Sequence, residues 1–211
     1  MAYRLDLQNP RVVSSPIAKE STPHSTIADF VPWRSSTWPA SVQLDDQQFT
    51  LVIKRIIESG ILSEINNVIE DATIRNGSLI ARGSVICLAS LCALDAISAF
   101  GYGGRSGKQI PEFIRAHFPQ EYQPFADQIR QYFRNASVHS WNLFGAEIFP
   151  GREGITYRDG RLSFGLLNFF DALKNATEDF LEQLAHNSQL QRMARSRYES
   201  RLSLREGLLG T

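Results

Sequence analysis

LIARGSVICLASLCALDAISAF, residues 79–100, is the stretch on which the fold turns. Leucine, isoleucine and alanine recur on nearly every side of a helical wheel, so the segment predicts a buried helix rather than an amphipathic surface one. Its alanines, serines and cysteines are small enough to let neighbouring helices approach closely. This helix is therefore expected at the centre of a bundle. Asp95 is its odd residue, because a carboxylate taken out of water requires a partner. Two roles are open to it: accepting from a catalytic side chain, or accepting from a structural Arg or hydroxyl. The run Ser84–Phe100 is short and contains Asp95, which argues against a membrane span. Cys87 and Cys92 are five apart, roughly 140° around a helix, so they point in different directions. With no other cysteine to complete a zinc site, both are expected as buried free thiols in a cytoplasmic protein.

Upstream, Phe49, Val52, Ile53, Ile56, Ile57, Ile61, Ile65, Val68 and Ile69 repeat at three and four. That spacing predicts a helix from Asp45 or Asp46 to about Asp71, bent or divided at Gly60. Arg75-Asn76-Gly77-Ser78 is a turn signal. Downstream, Gly101-Tyr102-Gly103-Gly104-Arg105-Ser106-Gly107-Lys108 invites a phosphate-loop reading that fails. The motif's first glycine would be Tyr102, Gln109 stands where Ser or Thr is needed, and a helix rather than a strand precedes it. A flexible connection remains. Short and longer helices follow at Ile110–Phe118 and Glu121–Val138. Asp159-Gly160, flanked by Ile155/Tyr157 and Leu162/Phe164, predicts a small β-hairpin. A last strong helix covers Leu166–Ala185.

Five of the nine prolines lie in residues 1–47, an arm with no helical period. Trp33 and Trp38 give it apolar surface to lay on the core or on a partner. Residues 48–187 form the helical domain. Residues 188–211 are an Arg-rich tail in which Arg192, Arg195, Arg197, Arg201 and Arg205 outnumber Glu199 and Glu206. A solvated tail is the expectation, with dimer packing and RNA contact as alternatives. The 22 basic and 22 acidic residues cancel, so no global field draws the chain to nucleic acid, although a local basic cleft remains open. The first residues lack the apolar core of a secretion signal.

The chemistry-bearing stretch is QIRQYFRNASVHSW, residues 128–141. Arg130 and Arg134 share a helix face, as do Asn135 and His139. Arg134 and His139, five apart, do not share one on a straight helix. The helix must end or distort near Ser137, or the site must be shared between subunits. Tyr132 and Trp141 offer rings for a base to stack on, or for the core. An imidazole with a reference pKa near 6.5 can take the proton of a ribose 2′-hydroxyl. A guanidinium can hold two phosphate oxygens and the charge of a five-coordinate phosphorus. Such chemistry needs no metal or other cofactor. The four histidines, His24, His117, His139 and His186, are too scattered to suggest a metal site, and no G-x-S-x-G elbow appears.

Arg134-Asn135-Ala136-Ser137-Val138-His139 resembles the signature of the HEPN superfamily, in which four to six residues, the first often polar, separate an Arg from a His. The preceding apolar helix with its internal acid, the Gly-rich link and the following long helix are similar in kind. The resemblance covers roughly residues 48–187 and implies an all-α, antiparallel helical bundle, here with a small β-hairpin insertion. It further implies a homodimer with a composite site, and metal-independent endoribonuclease activity of toxin or defence type. Arg134 and His139 would be catalytic. Asn135 would bind substrate, joined by Arg130, Tyr132 and Trp141. A small antitoxin-like protein is an implied partner; a membrane is not. Some members act instead as non-catalytic dimerisation or binding modules of stress or defence complexes, which is the alternative reading.

Overall fold

In the computed structural model the described residues are 44–76, 83–103, 108–132 and 146–209, with 73–76 and 201–209 described as backbone alone. Residues 1–43 of the arm, residues 104–107 of the Gly-rich link and the stretch from Arg134 to Trp141 lie outside them, while Gly101 and Tyr102, expected in the link, complete the helix before it.

Asp45 starts the first helix. Its carboxylate accepts from the Gln48 backbone N–H at 2.8 Å, while the Gln48 side chain accepts from the Asp45 N–H at 3.1 Å. This reciprocal capping box satisfies two donors that the helix cannot use. Helix α1 (Asp46–Ile57) then widens into one π turn, Glu58–Leu62, before α2 (Ser63–Asn76). Gly60 lies in that turn, so the expected division of the helix takes the form of a local π bulge rather than a break.

Helix α3 (Gly83–Tyr102) is central, as its composition predicts: it packs against α2, α4 (Gln109–His117), α6 (Leu166–His186) and α7 (Ser188–Leu209). Among the described helices α3 alone has the length and hydropathy to cross a bilayer, with 56% of its most apolar window buried inside the protein. Gly101 allows its closest approach to α6. A Cβ there would lie 2.6 Å from Cε2 of Phe180, whose ring is fully buried. The cysteines divide. Cys87 is buried, and burial pushes its thiol up to about 12; Cys92 is exposed, which corrects the expectation that both are interior. The roughly 140° between them carries one inward and one outward.

After α4, Pro124 opens a short 3-10 turn, Gln123–Phe125, and α5 (Ala126–Tyr132) begins there rather than at Glu121. The hairpin is present. β2 (Thr156–Arg158) pairs antiparallel with β3 (Arg161–Gly165) through a two-residue turn in which both Asp159 and Gly160 have positive φ, 51° and 75°. That is the twist a tight hairpin favours. The insertion is more than a hairpin, however. β1 (Ala146–Phe149) joins β3 in parallel, giving a three-stranded sheet in the order β1-β3-β2. Leu162 and Phe164 turn inward, and Phe164 packs on Phe169 in the first turn of α6. The chain is thus mostly helical with one small mixed sheet.

The loop 151–153 ties that sheet to α6. Gly165 N–H donates to the Glu153 carbonyl at 3.0 Å, and Leu167 N–H donates to the Gly151 carbonyl at 3.1 Å. Asn168 Nδ2 reaches the Arg152 carbonyl at 2.7 Å. Asp171 holds Arg152 at 2.5 Å and Lys174 at 2.7 Å. Burial alone would raise the Asp171 pKa, but hydrogen bonds and charge from Lys174 and Arg152 outweigh it and leave the carboxyl below its ordinary range.

The tail is a packed helix over its first half. Asn187 caps it by accepting from the N–H groups of Gln189 and Leu190. Leu190, Ala194 and Tyr198, four apart, are buried on one face. Tyr198 meets Phe49 edge to face at 5.7 Å. The Arg195 guanidinium lies 4.3 Å over the Phe49 ring and pairs with Asp46 at 2.9 Å. The solvated tail is therefore corrected for residues 188–200: this helix closes the core over α1 and α3.

Two substitutions test this packing by urea denaturation. Tyr198→Ala is expected to cost about 3–5 kcal/mol, as for other buried aromatics; a solvated tail would lose nothing. Gly101→Ala is expected to cost about 1–3 kcal/mol through overpacking against Phe180. The Asp171 contacts stabilise above the ordinary carboxylate pKa and are lost as pH falls through the lowered folded value. Asp171→Asn should accordingly flatten the acid limb of the stability profile.

Candidate functional site

The segment that carries Arg134, Asn135, His139 and Trp141 lies outside the described residues, but both ends of its attachment are defined. It follows α5, whose last residue is Tyr132, and precedes β1, which starts at Ala146. Arg130 and Tyr132 are both partly buried at the end of α5. The Tyr132 ring packs against the core, and its hydroxyl donates to the Gly160 carbonyl at 3.1 Å. This bond fastens the hairpin turn to the end of α5.

The outer face of the sheet is set by register. Arg158 opposes Arg161, Thr156 opposes Ser163, and Ser163 opposes Glu147 on β1. With Phe149 and Asp159 these side chains line an open depression of about 590 Å³. Arg161 lies 3.6 Å from Glu147, which also accepts from Ser163 Oγ at 3.3 Å. No sequence signal suggested this face, because β1 joins it by a non-local parallel pairing.

Asp95 takes the structural of its two expected roles, with an amide in place of the Arg or hydroxyl. Its carboxylate accepts from Gln109 Nε2 at 2.9 Å, linking α3 to the start of α4. Beside this link lies a second polar cluster. Tyr102 Oη is 2.8 Å from His117 Nε2, His117 Nδ1 is 2.5 Å from Asp179 Oδ2, and Gln183 Nε2 donates to the same carboxylate oxygen at 2.9 Å. The ring is caged by Phe113 and Phe180, with centroids at 4.8 and 5.6 Å. His117 looked isolated in the sequence; its partners come from 15 and 62 residues away.

Carboxylate, imidazole and hydroxyl in a row have the order of a hydrolytic triad, but the environment suits a lock. The His117 side chain has no exposed surface. Burial, then Asp179 and Glu112, push the Tyr102 hydroxyl up, away from the phenolate that a nucleophile requires. The row joins α3, α4 and α6 at the point where α3 ends. Among the described residues no three His, Cys, Asp or Glu side chains cluster as metal ligands would.

Compared with family models, curated proteins and solved structures, the chain finds no significant match. The molecule is thus defined by its own geometry: a mostly helical domain with a three-stranded sheet bonded to the helix that leads into Arg134 and His139.

His117→Ala removes the partner of the half-buried Tyr102 hydroxyl, while Asp179 keeps Gln183, and is expected to lose about 1–3 kcal/mol. Tyr102→Phe should lose about 0.5–1.5 kcal/mol, the net value of one hydrogen bond. Thermal denaturation measures both. Activity of the folded variants should be unchanged, which separates a lock from a catalytic triad.

Proposed function

We propose that the chain is a cytoplasmic, metal-independent endoribonuclease of toxin or defence type, acting as a homodimer and held in check by a small protein partner. The observation that carries this reading is the attachment of the Arg134–His139 segment. It follows a bundle helix whose end is hydrogen-bonded to the hairpin turn, and it leads into a strand of the same sheet. The elements that flank the motif in the chain are fastened to one another, and catalysis by positioning favours reactive residues carried between such elements. The mostly helical architecture is also what the resemblance implies.

In this mechanism the neutral His139 imidazole takes the proton from a ribose 2′-hydroxyl. The 2′-oxygen attacks the adjacent phosphorus. The Arg134 guanidinium holds two of its oxygens and stabilises the added charge in the transition state. The bond to the 5′-oxygen breaks, and that oxygen takes a proton from an acid, a role open to the second copy's histidine. The products are a 2′,3′-cyclic phosphate and a 5′-hydroxyl. Asn135 orients the imidazole or the phosphate. DNA lacks the attacking hydroxyl and is not cut by this route.

With mixed RNA in EDTA, His139→Ala is expected to lower the cleavage rate by about 10²–10⁴-fold, the range for general acid–base catalysis. Arg134→Ala should lower it by about 10²–10³-fold, as removal of a transition-state charge partner does. Both proteins should keep the wild-type mass by light scattering. Equal rates in all three proteins would remove the assignment, and a folded dimer that cuts no RNA would favour the non-catalytic binding module.

A further inference from the structure

The outer face of the sheet has a charge arrangement that folding alone does not explain. Arg158 and Arg161 are directly opposed across the β2–β3 pair. Like charges in that relation destabilise a sheet. Glu147 answers Arg161. Arg158 makes no ion pair among the described residues, and its guanidinium lines the same depression. Next along the face come two hydroxyls, Thr156 and Ser163, directly paired. Beyond them stands Phe149, with 40% of its surface exposed, one of four large apolar side chains left so open among the described residues.

We infer that this face holds a segment of single-stranded RNA, with a phosphate at Arg158 and Arg161 and a base against Phe149. The inference rests on the ribonuclease reading above and names where its substrate is held outside the cleavage motif. A planar guanidinium can meet two phosphate oxygens at once, and a second beside it turns an unfavourable pair into a favourable one. The Thr156 hydroxyl can donate to a backbone oxygen between, while that of Ser163 is held by Glu147. An exposed ring accepts any base by stacking, so the contact is independent of sequence. Arg161 to Gly165, the residue paired with Phe149, is four steps of a strand, roughly 13 Å. That is room for more than one nucleotide. Glu147 and Asp159 line the face too, so it has no net charge. Binding there is short-range and modest rather than driven by a long-range field. The Tyr132–Gly160 bond ties the hairpin that carries this face to the end of α5.

The test measures binding without cleavage. The His139→Ala full-length chain is titrated against a fluorescently labelled single-stranded RNA of mixed sequence, in EDTA, by anisotropy. Arg158→Ala is expected to weaken binding about tenfold and to reduce the slope of log affinity against log salt by about 0.7, the value of one lost phosphate contact on a single strand. Phe149→Ala should weaken it about tenfold with the salt slope unchanged. Arg192→Ala, on the exposed side of α7, serves as the comparison for loss of any one positive charge. Unchanged affinity in the face variants, an equal loss with Arg192→Ala, or no RNA binding at all overturns the inference. Cleavage by the His139-intact protein that is indifferent to these substitutions overturns it while the ribonuclease reading stands. Face-dependent binding without cleavage supports it and leaves the ribonuclease reading to fail alone.

Discussion

Everything in the fold depends on the close approach of α3 to α6 at Gly101 and Phe180. A single methyl at Gly101 would enter the Phe180 ring. From this contact a run of buried rings extends along α6: Phe113 meets Phe180 and Phe118, and Phe118 and Tyr122 meet Phe169. Burying several aromatic side chains along one helix supplies much of the apolar area that drives a domain of this size to fold. The α3–α6 crossing also decides where polar groups can survive. His117 lies against the same rings and is tolerated because both of its nitrogens are satisfied.

From that crossing the structure extends in two directions. Toward one end, α7 folds back and closes the core through Tyr198 on Phe49, so a helix rich in arginine is a structural member rather than an appendage. Toward the other, the first turn of α6 carries the sheet, with Gly165 packed against the backbone of the loop 151–153. Sheet and α5 then meet at the Tyr132–Gly160 bond. A rigid core thus holds two elements on either side of the Arg134–His139 segment. This relation suits a site whose reactive groups must be positioned rather than chemically exotic.

How much of this the sequence disclosed follows the range of the interactions. Local signals read well. Asp45 and Gln48 form the capping box that starts α1, the small residues of α3 mark its central place, and Asp159-Gly160 turns the hairpin. Non-local pairings did not read. β1 has only four residues and its partner β3 lies across a loop, so nothing within Ala146–Phe149 announces a parallel neighbour. The Tyr102–His117–Asp179 row is assembled from three helices, and no spacing encodes it. In α7 the four-residue repeat of Leu190, Ala194 and Tyr198 was available, but the arginines between them made the stretch look solvated. Arg195 shows why that inference fails, since its guanidinium covers the Phe49 ring and still pairs with Asp46. Cys92 was misplaced because helix-wide apolarity was read as burial on all sides. The Arg134–His139 motif is a pattern of residue types that lies outside the described residues, and the sheet face has no such pattern in the sequence.

The central claim is that a ribose 2′-hydroxyl, activated at His139, breaks the RNA chain. Its most direct test is end-group analysis by mass spectrometry of a defined RNA incubated with the wild-type protein in EDTA, beside the same RNA with one 2′-deoxynucleotide at the cut position. The account predicts 2′,3′-cyclic phosphate and 5′-hydroxyl ends from the first and an intact chain at that position from the second. Cutting of the deoxy-substituted bond, or products ending in 5′-phosphate, would contradict it.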